Sequence, residues 1–110
     1  MRFLTLKIML CLLLSLIISR IEANTNNYSI SGRISDERTG SPLPGASILI
    51  KGTYLWAVSD QKGEFTIQGI QEGKYQLEVS FLGYVPATVP VNVNNSIKGL
   101  KIQLKENTLA

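Results

Sequence analysis

The chain has 110 residues, 17% of them charged, with 11 Lys and Arg against 8 Asp and Glu, one cysteine and no histidine. That length gives room for one domain. Without histidine, most nucleophile and general-base pairs and most transition-metal sites are excluded, and with them the commonest hydrolase chemistries.

The N-terminal segment reads as a secretory signal peptide helix spanning residues 1–23. Arg2 and Lys7 supply positive charge, Ile8 to Ile18 is apolar apart from Ser15, and Ile21-Glu22-Ala23 ends on a small residue, which places cleavage after Ala23. As a membrane anchor the apolar run is too short: 11 residues rising about 1.5 Å each cover roughly half of a ~30 Å hydrocarbon core. Cys11 sits inside the run behind bulky Leu10, so it reads as an apolar filler rather than a lipid-modified mature start.

Processing changes the charge argument. It removes three basic residues and one acidic residue, leaving 8 against 7 and a net charge of +1. So small a surplus offers no case for nucleic acid or anionic lipid. The remaining chain has no cysteine and must hold together by packing alone.

Asn24 to Asn27 is a polar tether. Residues 28–105 then form a β domain, and 106–110 are a C-terminal tail. Tyr28, Ile30, Gly32 and Ile34 alternate with Ser29, Ser31, Arg33 and Ser35, which predicts a first strand with one wet face. Asp36 to Gly45 collects Asp, Thr, Gly and Pro and must reverse the chain, with Asp36, Gly40, Pro44 and Gly45 as its turn residues.

Ala46, Ile48 and Ile50 predict a second strand that Gly52 ends. Tyr54 to Ser59 is a weaker third strand, because its apolar residues are continuous rather than alternating. Asp60 to Gly63 is the clearest tight turn, with Gly63 expected at positive φ and asparagine expected to be a milder replacement there than valine.

Phe65 and Ile67 point inward from a fourth strand, and Gly69 to Gly73 turns the chain again, with Gly73 as a turn residue. Tyr75, Leu77, Val79 and Phe81 mark the longest strand, closed by a turn at Gly83. Val89, Val91 and Val93 follow, with Pro90 on the opposite face, which predicts an edge strand because proline cannot donate to a ladder. Leu100, Ile102 and Leu104 face inward from the last. Seven short strands with one apolar face each predict an all-β, seven-stranded sandwich of two antiparallel sheets.

Catalytic residues are not evident. Ser59 to Lys62 spells S-x-x-K, but in a turn rather than at the opening of a helix. Asp36 with Glu37 and Asp60 with Glu64 do not have the spacing of a calcium loop and read as solvated turn residues. Asn27-Tyr28-Ser29 and Asn94-Asn95-Ser96 fit the glycosylation sequon, which matters only in a eukaryotic host. Tyr54 and Trp56 are the residues best suited to contact a ligand, since aromatic faces stack on sugar rings, although burial of Trp56 in the sandwich is the favoured reading.

The segments GRISDERTGSPLPGASILIKGT (Gly32 to Thr53), SDQKGEFTI (Ser59 to Ile67) and GKYQLEVSFLGY (Gly73 to Tyr84) together resemble the carboxypeptidase regulatory-like domain. The resemblance covers about Tyr28 to Leu104 and implies a transthyretin-like sandwich. Its matching positions are turns, strand starts and inward aromatics, so it brings no catalytic residue. Trp56 departs from the pattern, which usually has a small residue or glycine before the S/T-D turn.

Behind a signal peptide, such a domain is similar to the N-terminal extension of TonB-dependent outer-membrane receptors. The resemblance then implies an exported, non-catalytic accessory domain in the periplasm or at the periplasmic face of the outer membrane, without cofactor or metal. Its partners would be a receptor plug and barrel or periplasmic energy-transducing proteins. A TonB box, plug and barrel do not occur in these residues, so a truncated or split product is expected. Two other classes remain: a stand-alone carbohydrate-binding module using Tyr54 and Trp56, and a fragment of a carboxypeptidase or hydrolase, against which the lack of histidine weighs.

Overall fold

The computed structural model describes residues 5–12 and 27–108. Residues 5–12 are helical and exposed, Cys11 included. Ala23 and most of the 24–27 tether lie outside the described residues, and no described helix is long and apolar enough to cross a membrane.

Seven strands follow: β1 (Tyr28–Asp36), β2 (Ser47–Ile50), β3 (Trp56–Val58), β4 (Glu64–Ile70), β5 (Gly73–Ser80), β6 (Ala87–Val93) and β7 (Ile97–Leu104). They form a three-stranded sheet in the order β4-β1-β7 and a four-stranded sheet in the order β3-β2-β5-β6. The period-2 pattern sends one side of each strand into the space between the sheets. Ile30 and Ile34 of β1, Ile48 and Ile50 of β2, Leu77 and Val79 of β5, and Ile102 and Leu104 of β7 are all buried there. Each such side chain contributes about 1.5–3 kcal/mol relative to exposure.

Three departures from the sequence reading bear on function. The β1–β7 pair is parallel, Gly32 facing Leu100 and Asp36 facing Leu104, whereas every other pairing is antiparallel. Parallel neighbours need a long crossover, and this one runs through the whole opposite sheet, where no local pattern announces it. Secondly, Ser35 and Asp36 are buried rather than wet, because the loop after β1 folds back across them: Ser35 bridges Pro42, and Asp36 N donates to Ser41 O at 2.8 Å.

Thirdly, Gly73 is not a turn residue. It opens β5 opposite Val93. Gly40, Gly45, Gly52, Gly63 and Gly83 do have positive φ, between 74° and 87°. Pro90 of β6 pairs with Gln76 of β5, and β6 is an outer strand, where a missing N–H leaves no ladder bond unmade.

Gly32 is required for the parallel pairing. A Cβ at that position would run into the Leu100 carbonyl oxygen, so only glycine lets β7 approach β1 this closely.

Candidate functional site

The apolar run Tyr54 to Val58 resolves into two faces. Thr53 organises the β2–β3 connection: its Oγ1 donates to Ile50 O at 2.8 Å and accepts from Leu55 N at 3.0 Å. Ile50 N also donates to Leu55 O at 3.0 Å, closing a short loop. From that fixed start the strand alternation turns Leu55 and Ala57 towards the core and leaves Tyr54, Trp56 and Val58 outside.

Trp56 is 64% exposed and Tyr54 99% exposed. The expected burial of Trp56 is therefore corrected. Leu55 takes the inward position, and one residue further along a strand the direction reverses.

Register places Trp56 beside Leu49 and Leu49 beside Glu78, so an aromatic ring, an aliphatic side chain and a carboxylate lie in one row on the outer face of the four-stranded sheet. Val58 and Ser47 form the next row, where Ser47 Oγ and Ser80 Oγ share a hydrogen bond of 2.9 Å. On the other side, Lys51 Nζ stands 3.9 Å from Glu78 Oε1 in an exposed ion pair, a contact of small energetic weight. A shallow, open depression of about 640 Å³ continues past Lys51 over Gln76 and Pro90. The face offers an apolar platform with charged and hydroxyl groups around it, which suits binding rather than bond cleavage.

Residues singled out for chemistry have structural duties. Ser59 of the S-x-x-K run is buried, its Oγ donating to Leu43 O at 2.6 Å and accepting from Ala46 N at 2.9 Å. It staples the turn Leu43–Ala46 to the end of β3. Asp60 Oδ1 accepts from Lys62 N and Glu64 N, both at 2.9 Å, and closes its turn as expected. Among the described residues no group of three His, Cys, Asp or Glu could hold a metal ion.

Asp36 departs from the solvated role expected of it. It is 7% exposed, Oδ1 accepts from Arg38 N at 2.8 Å and Thr39 N at 2.9 Å, and Oδ2 accepts from the Tyr84 hydroxyl at 2.7 Å. The tyrosine hydrogen bond, followed by the Thr39 amide, holds the carboxyl down at about 2, below the ordinary 3.8, against an opposing effect of burial. The same bond raises the Tyr84 hydroxyl above its ordinary value. The sequence marks Asp36 as a turn residue and Tyr84 as the end of a segment that carries the resemblance; nothing in it pairs the two.

Comparison with known proteins agrees with this architecture. The model of the CarboxypepD_reg-like domain matches residues 30–110. TonB-dependent receptor P3 of Formosa agariphila is 30% identical over 104 residues, which is 94% of this chain and 10% of the receptor. TonB-dependent receptor SusC of Bacteroides thetaiotaomicron is 30% identical over 102 residues, 93% of this chain and 9% of that protein. The chain thus spans about a tenth of the length of the curated relatives it matches.

Among solved structures, a chain of a type II cohesin–X-dockerin complex of Acetivibrio cellulolyticus superposes with a TM-score of 0.64 at 25% identity, over 76% of this chain and 60% of its own. The pilus 2b backbone protein of group B streptococcus gives 0.59 at 18%, over 74% and 42%, a likeness of fold alone. With its family match running from β1 through the end of β7, the chain belongs to the CarboxypepD_reg-like domain family.

Proposed function

We propose that this chain acts as an exported, non-catalytic accessory module on the periplasmic side of the outer membrane, in the manner of an extension domain of a TonB-dependent nutrient receptor. One observation carries the reading: the sandwich aligns over nearly its whole length with a tenth of two such receptors. Its buried polar side chains support a framework role, since Ser59 and Asp36 are committed to internal hydrogen bonds. The partners in this reading are a receptor plug and barrel or a periplasmic energy-transducing protein. Transport belongs to the barrel, and this domain modulates or docks it.

The test has two parts. Intact-mass measurement on exported protein should show a chain beginning at Asn24, and cell fractionation should recover it in the periplasm or with the outer membrane. A cytoplasmic, full-length product, or a lipidated form starting at Cys11, would overturn the reading.

A second reading is favoured by the exposure of Tyr54 and Trp56. In it the module holds a glycan by stacking a pyranose face on Trp56, with Glu78 and Lys51 in reach of the ring hydroxyls.

A further inference from the structure

We propose that the sandwich is a load-bearing link, built to carry tension between the chain that leads into β1 and the chain that leaves β7. The geometry rests on the parallel pair. Tyr28 begins β1 at the end where Ile97 begins β7, and Asp36 ends β1 beside Leu104 at the end of β7. The chain therefore arrives at one end of the pair and departs from the other. Tension between these points runs along the strands and loads the ladder in shear, so that the continuous register from Gly32–Leu100 to Asp36–Leu104 must give way as a unit. Were the two strands antiparallel, the same tension would peel the pair one hydrogen bond at a time.

The far end of this ladder is reinforced. Beyond Asp36, Glu37 N donates to Leu104 O at 2.9 Å. The departing residues are then gripped by the β5–β6 connection: Val85 N donates to Lys105 O at 2.8 Å, Asn107 N donates to Gly83 O at 2.9 Å, and Tyr84 bridges Glu106. Tyr84 is itself bonded to Asp36 on β1. The last residues of both loaded strands are thus cross-linked through one loop of the opposite sheet. Gly32 contributes by admitting the β7 backbone at a distance no side chain allows. A partner pulling on either end transmits its force through the domain without opening it.

The experiment pulls one protein in two directions. Full-length chain carrying Cys11→Ser receives handles through Asn27→Cys with Thr108→Cys, or through Asn27→Cys with Asn95→Cys, all at exposed positions. The first pair loads β1 and β7 in shear; the second starts at the same end of both strands and peels them apart. Single-molecule unfolding at equal loading rate should require about twofold more force, or greater, through the first pair than the second, because forced unfolding follows the barrier along the pulled direction. Asn94→Cys provides a second attachment at the peeling end if Asn95→Cys lowers the melting temperature. Equal forces, or a weaker response through the first pair, would overturn the proposal. Such a failure would leave the receptor-module reading standing, since the measurement concerns only this chain's own ladder.

Discussion

The Tyr84 hydroxyl donates to Asp36 Oδ2 at 2.7 Å across 48 residues of chain, a side-chain bond that ties one sheet of the sandwich to the other. Asp36 closes β1 in the three-stranded sheet, and Tyr84 lies between β5 and β6 of the other. The Tyr84 ring packs against Phe81, with ring centroids 5.5 Å apart and the planes tilted by 50°.

The bond makes stability depend on pH in a definite sense. Asp36 titrates at about 2 when folded and near 3.8 when free, so its contribution is complete above the free value and lost as pH falls from there towards 2. Tyr84 is raised, so its contribution is present below its ordinary value of 10.0 and lost as pH climbs through the raised one. Tyr84→Phe should therefore lower the melting temperature between about pH 5 and 9, with the gap to wild type closing on acidification to about pH 2. Thermal melts at several pH values check it; a gap independent of pH would show that the carboxylate gains nothing from the hydroxyl.

Gly63 has φ of 76°, as the turn requires, but conformation is only half of its constraint. A Cβ there would collide with the Ile34 carbonyl oxygen and approach Leu43 N and Pro42 Cβ to 3.2 Å. These are backbone and ring atoms that cannot swing aside. Gly63→Asn should accordingly cost more than about 2 kcal/mol, since asparagine eases the positive φ and not the collision. Gly40, at φ 74° with nothing near its missing Cβ, is the control, and Gly40→Asn should cost less than about 1 kcal/mol. Urea unfolding of the two variants separates them. Equal midpoints would mean that the β1 backbone moves aside freely.

What could be read in advance was whatever is local. Alternation assigned Ile48, Phe65, Leu77 and Ile102 to the interior, and Pro90 identified β6 as an outer strand, because both signals act within a few residues. The Gly63 collision, the parallel register of Gly32 with Leu100 and the bond from Tyr84 to Asp36 each join segments far apart in the chain. Composition carries no trace of such pairings. Exposure of Trp56 is hidden in the sequence for a different reason: apolar neighbours on both sides mask the phase of the alternation, which the structure sets with Leu55, Ala57 and Ser59 inward.

Trp56 separates a framework from a binding face. Were it buried, its truncation would cost about 3–5 kcal/mol. It stands mostly in solvent, with Leu49 as its register neighbour on a three-residue outer strand. Trp56→Ala should therefore shift stability by less than about 1 kcal/mol, while Ile48→Ala, from the opposite face of the neighbouring strand, should cost about 2–5 kcal/mol. With stability kept at that level, Trp56→Ala is also a clean probe of ligand contact: glycan-array binding that vanishes in this variant, and in Tyr54→Ala, would establish the second functional reading. Equal array signals for wild type and both variants would remove the sugar face and leave the outer side of β3 to a protein partner. A stability loss near that of Ile48→Ala would instead show that the ring packs down onto the sheet in solution.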